Sequence, residues 1–135
     1  GSFDTLYGRH PVHRKRFSSQ VERGKRALTH YRVLTRFSSS LAEVTKVELD
    51  LKTGRTHQIR VHLADAGHPI LGDKLYGGRA LRGIEQPLQP DRQALHAWRL
   101  SLRHPVDGRF LEFEAPLPAD LQELERKLSQ RAGKA

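Results

Sequence analysis

The densest group of residues able to do chemistry is Lys52-Thr53-Gly54-Arg55-Thr56-His57-Gln58-Ile59-Arg60-Val61-His62. It joins a strand-like stretch to a helical one, and such a turn presents backbone N–H groups and a helix N-terminus to an anion. Arg55 and Arg60 add guanidinium forks, which hold a phosphate or carboxylate bidentately where lysine cannot. The pattern alone leaves a second reading open, a basic helix start that only solvates the surface. A zinc site is not expected: His57 and His62 fall on different helix faces, and no Glu stands in a zincin arrangement.

Other catalytic arrangements are missing. There is no Gly-x-Ser-x-Gly elbow, no phosphate-loop Gly-Lys-Ser/Thr and no Gly-x-Gly-x-x-Gly. Cysteine is absent, which removes thiol nucleophiles, disulfides and cysteine-ligated metals. Asp50 reads as a solvated strand position, Asp65 as an isolated carboxylate and Asp107 as a turn residue. Asp73, in Gly72-Asp73-Lys74-Leu75-Tyr76-Gly77, has the least ordinary context, and a turn-stabilising role is expected of it. Trp98 reads as a packing residue of a hairpin, with base stacking as the alternative. Structural roles are expected of His68, His96 and His104.

The length of 135 residues suits one domain. Lys and Arg number 24 against 15 Asp and Glu, a net charge of +9, which points to an anionic partner and away from an acidic metal-chelating surface. Apolar residues make up only 36%, so the core is expected to be thin. No stretch approaches the ~18 apolar residues of a membrane span, so a soluble cytoplasmic protein is expected. Gly1-Ser2 is read as an expression scar.

The elements that must position these residues follow from periodicity. Residues 3–26 are polar and basic, and Pro11 and Ser18-Ser19 argue for an extended or looped segment. Ala27 to Phe37 is rich in β-formers, Ser38-Ser39-Ser40 is a turn, and Glu43 to Leu51 alternates, so the two runs make a hairpin. Thr56 is placed to cap a helix over His57 to Ala66, with Ile59, His62, Leu63 and Ala66 on one face and Gly67 as its stop. Residues 77–92 read as a mobile loop without structure. Ala94 to Leu102 and Arg109 to Glu114 form a second hairpin about Asp107-Gly108. Leu117, Leu121, Leu124 and Leu128 align along a closing helix from Pro118 to Arg131. The class is α+β: a mostly antiparallel sheet with two hairpins and two helices in a single domain.

The run Gly54 to His62, then Gly67-His68-Pro69-Ile70-Leu71-Gly72-Asp73 and Tyr76-Gly77-Gly78, resembles the RluA-type family of RNA pseudouridine synthases. Arg92-Gln93-Ala94-Leu95-His96-Ala97, His104-Pro105 and Ala115-Pro116-Leu117-Pro118 extend the likeness in order and at family spacing. Gly8-Arg9-His10-Pro11 and Thr29-His30-Tyr31-Arg32-Val33 resemble the RluD-like branch that modifies large-subunit ribosomal RNA. The family's nucleophilic aspartate sits in a motif like His-Arg-Leu-Asp-x-x-Thr-Ser-Gly, and its active-site tyrosine in a Tyr-x-Ala-x-Val-x-Gly strand. Neither motif occurs in these 135 residues, where His13-Arg14 is followed by Lys15-Arg16. Residues 3–135 therefore look like the C-terminal part of a catalytic domain whose N-terminal part is the missing partner, and this chain alone is expected to be inactive.

The resemblance implies isomerisation of uridine to pseudouridine in RNA, with no cofactor and no metal. It makes Arg60 the partner of the nucleophilic aspartate, with Arg55, Thr56, His57 and Gln58 as active-site support. Arg60 lies off the apolar stripe, so it is expected to serve chemistry more than folding and, lacking that aspartate here, to be a solvated cation. Arg9, His13, Arg14, Lys15, Arg16, Lys25 and Arg26 would track RNA phosphates without reading sequence. The competing classes are a non-catalytic basic RNA-binding module and a small basic ribosomal protein; the latter explains the charge but not the Arg55-to-His62 cluster.

Overall fold

A computed structural model describes residues 1–39 and 43–132. A four-stranded antiparallel sheet, in the order β2-β1-β3-β4, is built from β1 (Ser2–Arg9), β2 (Phe17–Ser18), β3 (Lys25–Ser38) and β4 (Glu43–Leu51). The β3–β4 hairpin agrees with the alternation seen in the sequence; Ser40 of its turn lies outside the described residues. A register shift between Val33 and Thr35 leaves Leu34 unpaired, a bulge of the kind that bends and twists a strand.

The basic N-terminal segment is not simply a loop, because β1 and β2 lie within it. In β1, Phe3, Thr5 and Tyr7 turn toward the core at the two-residue period of a strand, while Ser2, Asp4 and Leu6 turn out. Gly1 joins the same ladder, its carbonyl accepting from the Tyr31 N–H at 2.9 Å.

Helix α1 (Gln58–Asp65) lies on this sheet, and Val61 and Ala64 pack with Tyr7, Ala27, Phe17 and Tyr76. Its N-cap is His57 in the left-handed conformation, φ 57°, with no side-chain cap, so Thr56 does not take the capping role expected of it. His62 is inside as expected, but the buried face otherwise differs from the expected stripe: Gln58 and Val61 are inside, while Ala66 is exposed. Polar contacts described below hold Gln58 and His62 inward and decide that rotation. The C-terminus behaves as expected. Gly67, at φ 86°, donates to the Ala64 carbonyl and His68 donates to that of Leu63, the paired bonds of a Schellman motif.

Residues 77–92 are not without structure. They contain 3₁₀ turns at Gly78–Leu81 and Gln86–Leu88, and Leu88 is 2% exposed. Leu88 packs with Phe37, Leu121, Leu124 and Leu128 in a second core that seats helix α2 (Ala119–Ala132) against the end of the first hairpin. The second hairpin, β5 (Arg99–Arg103) with β6 (Phe110–Glu114), is shorter at its start than the sequence suggests. Leu100 and Phe113, paired across it, are more than half exposed, and on the first hairpin Val33, Leu34 and Leu51 are exposed as well.

Candidate active site

The turn before α1 is fastened by Gln58 instead of by a cap. Its Oε1 accepts from the Thr53 hydroxyl at 2.8 Å and the Arg55 N–H at 2.9 Å. Its Nε2 donates to the Leu28 carbonyl at 3.1 Å and to Thr29 Oγ1 at 2.9 Å. Every hydrogen-bonding site of this buried amide on the sheet side is thereby used, as burial of a polar group requires. Because Thr29 Oγ1 accepts from Gln58, its own hydrogen is available to His62 Nδ1, 2.8 Å away. His62 Nε2 then reaches Thr5 Oγ1 at 2.8 Å. Burial pushes the His62 pKa down, against the opposing pull of Asp65 and Asp4, so the ring is neutral in this chain of bonds.

Arg60 is not a solvated cation. Its Nε and Nη2 each lie 2.9 Å from the two oxygens of Asp73, and the side chains are 15% and 0% exposed. Asp73 also accepts the N–H groups of Leu75 and Tyr76, each at 3.1 Å, so the expected turn role is present together with an ion pair. Burial alone would raise the Asp73 pKa; the Arg60 fork and the two N–H groups outweigh it and hold the carboxyl below its usual range. The hydrogen bond to Asp73 raises the Arg60 pKa in return. Glycine is required on both sides of this turn: a Cβ on Gly72 would strike the Arg92 carbonyl, and one on Gly77 the Asp73 carbonyl.

Tyr76, which the sequence reading did not single out for function, organises the rest. The Arg60 guanidinium carbon is 5.1 Å from its ring centroid. Its hydroxyl accepts the Phe17 N–H at 3.1 Å and lies 3.0 Å from His57 Nδ1. Burial, then the Arg60 charge, lower the His57 pKa, so the neutral ring accepts the Tyr76 hydrogen. Tyr7 donates to the Thr56 carbonyl, and its own pKa is raised by burial.

Four of the five residues singled out in this cluster line one open cleft. Arg55, His57, Gln58 and Arg60 share it with Leu51, Ile59, Gln93 and Leu95, and its volume is about 260 Å³. That lies just below the ~300 Å³ at which pockets for drug-sized ligands begin. Thr56 is not among the lining residues. Arg55 is turned to the Arg26 carbonyl, at 3.1 and 3.0 Å. Since Asp73 takes only two of its N–H groups, Arg60 keeps others for an anion in the cleft.

The basic residues divide. Arg26 is paired with Asp4 at 2.8 Å, and Lys25 is exposed beside it on β3. Arg9 donates to the Arg14 carbonyl and stands over the Phe17 ring; His13 lies ring to ring with His10 at 4.9 Å; Arg14 and Lys15 are exposed. Arg16 alone reaches the site, 5.1 Å from the Tyr76 centroid. Asp65 ties this arm to α1 through the N–H and hydroxyl of Ser19, at 2.8 and 2.7 Å. Among the described residues, no three His, Asp or Glu side chains converge as metal ligands, and no helix is long and apolar enough to cross a membrane.

Residues 2–65 match the family model of the RNA pseudouridylate synthases. The chain is 48% identical to a ribosomal large subunit pseudouridine synthase D of Nitrosomonas europaea, over 92% of its own length and 35% of the relative's. Against the protein of that name in Vibrio cholerae it is 47% identical, over 98% of its own length and 41% of the relative's. An uncharacterized RNA pseudouridine synthase of Chloroflexus aurantiacus is 48% identical over 98% of this chain. The human RNA pseudouridylate synthase domain containing 1 shares the fold at a TM-score of 0.71 and 30% identity, over 95% of this chain and 58% of that one. The chain thus spans about two fifths of the length of the curated relatives it matches. Sequence and fold agree over nearly all of its residues, and the chain belongs to the RNA pseudouridine synthase family.

Proposed function

We propose that this chain is the C-terminal part of the catalytic domain of an enzyme that isomerises uridine to pseudouridine, with large-subunit ribosomal RNA as substrate and the cytoplasm as its compartment. The observation that carries the reading is Arg60: a cation fixed from behind by a buried carboxylate, lining a nucleotide-scale cleft, with N–H groups unspent. Isomerisation requires the uracil to leave the duplex stack, its glycosidic bond to break, and the ring to turn and rejoin the ribose through C5. A nucleophilic carboxylate must stay ionised in a closed site while this happens, and an adjacent guanidinium favours its charged form. Arg60 supplies that guanidinium, Asp73 and the Tyr76 ring orient it, and the Gln58 network holds the turn from which it projects. The basic arm adds affinity for phosphates.

The nucleophile belongs to an N-terminal part of the same domain. Asp73 is unsuited to the task, because its oxygens are occupied by Arg60, Leu75 and Tyr76 and its side chain is inaccessible. That observation also favours a second reading for the isolated chain, an RNA-binding module without activity. Incubating unmodified large-subunit ribosomal RNA with the chain alone, and with the chain plus the N-terminal part of a relative, tests both. No pseudouridine in the first mixture and some in the second is expected. Pseudouridine made by the chain alone and lost in Asp73→Asn would move the nucleophile to Asp73.

A further inference from the structure

Arg16 is anomalous among the arginines of this region in lacking a partner while half-buried, where Arg14 and Arg23 are exposed. Arg26 has Asp4, Arg60 has Asp73, Arg55 and Arg9 have backbone carbonyls, but the Arg16 guanidinium has no hydrogen-bond or ion-pair partner among the described residues. It is nevertheless half-buried, and its Nε is wholly buried without an acceptor. What it does have is the face of the Tyr76 ring, at 5.1 Å, the ring that also carries Arg60. A buried N–H of a cation lacking an acceptor is costly, and the terminal nitrogens of Arg16, which are not buried, are completed by an anion arriving from outside.

The geometry points to Arg16 as the residue that binds the backbone phosphate of the nucleotide whose base occupies the cleft. This rests on the proposed function, and it separates Arg16 from the remainder of the arm. Arg60 lines the cleft and Arg16 does not, but both guanidinium carbons stand 5.1 Å from the Tyr76 centroid, so a base held at Arg60 leaves its phosphate to Arg16. A flipped nucleotide presents its parts in that arrangement. Stacking of a base on Tyr76 is not the alternative, since that side chain is 5% exposed and two guanidinium groups stand at its ring. A phosphate is favoured over a protein carboxylate because the arm itself carries no acidic residue between Asp4 and Glu22, and the two nearby carboxylates, Asp65 and Asp73, are taken by Ser19 and Arg60.

The test follows arginine Nε–H resonances of the 135-residue chain during titration with a short oligouridylate, and with the same oligomer carrying neutral methylphosphonate links. Arg16→Lys assigns the Arg16 signal by its disappearance. The Arg16 resonance should shift with the charged oligomer and stay in place with the neutral one. Arg16→Gln should weaken oligouridylate binding about tenfold, the loss of one charge-assisted contact, with Arg16→Lys recovering part of it and Arg14→Gln costing less. If RNA binds while the Arg16 signal stays still and Arg16→Gln behaves like Arg14→Gln, the inference fails and the basic-arm reading survives. If the signal shifts only on adding the N-terminal part of a relative, Arg16 pairs with a protein carboxylate and the inference fails in that way. Absence of any RNA binding by the unaltered chain overturns this inference, while the proposed function stands or falls on pseudouridine formation with the N-terminal part added.

Discussion

Around α1 the buried polar side chains are partnered: Gln58, His62 and Asp73 each meet donors and acceptors supplied by the fold. In the arm between β1 and β2 the cations are differently placed, with Arg14 and Lys15 in solvent and Arg16 buried at Nε without an acceptor. Both regions are basic, so charge does not distinguish them. The partners do. A cation that the protein itself neutralises is held in one orientation and contributes to stability, and one left open is available to a ligand. Arg60 combines the two, anchored by Asp73 on one edge and open on the other.

The contrast breaks most visibly if the anchor is cut. Arg60→Ala leaves Asp73 charged and fully buried without its counter-ion, a loss of about 3–5 kcal/mol. That reverses the expectation that Arg60 serves chemistry more than folding; an unchanged melting temperature would return it to a surface role. A smaller loss is expected for Gln58→Leu, about 1–3 kcal/mol for the groups left unsatisfied at Leu28, Thr29, Thr53 and Arg55, read by urea denaturation.

Histidine titration comes next. His62 and His57 both have pKa values lowered in the fold, so as pH falls the unfolded chain takes up protons first. Stability should therefore be flat above about pH 6.5 and decline as pH drops through that value, while Asp73, also held low, adds its loss only below the ordinary carboxylate range. Denaturation midpoints between pH 8 and 5 check this, and His62→Gln should flatten the decline. Smallest in stability is Arg14→Gln with Lys15→Gln, within about 0.5 kcal/mol of the original. The same pair should flatten the log–log salt dependence of RNA binding by about 0.7–0.9 for each lost phosphate contact. An unchanged slope would make the arm a solvated surface.

Regular periodicity made much of the fold legible. β-forming residues marked β3, alternation marked β4, the leucine spacing marked α2, and Asp107-Gly108 marked the second hairpin, since each signal is local. Strand β1 was hidden because one of its inward residues is Thr5, whose burial is settled by His62 far along the chain. The face of α1 was misjudged in part for a related reason: the stripe included His62 but left out Gln58, which is drawn inward by β3. The Arg55-to-His62 cluster drew attention to the cleft, and Gly72 to Gly77 stood out as a turn. Nothing in either segment states that Arg60 crosses to Asp73, because that pairing depends on where α1 leads the chain.

Turnover by Arg60→Lys tests the account most directly, in a polypeptide that joins this chain to an N-terminal part carrying the nucleophile motif. Lysine keeps the charge beside Asp73 but loses the fork that can serve Asp73 and a second anion together. The melting temperature should fall by only a few degrees while pseudouridine formation in large-subunit ribosomal RNA drops by about a hundredfold or more, on the order of 3 kcal/mol of transition-state stabilisation. Pseudouridine formed at the original rate by Arg60→Lys would contradict the account, leaving Arg60 as an anchor of the fold and nothing more.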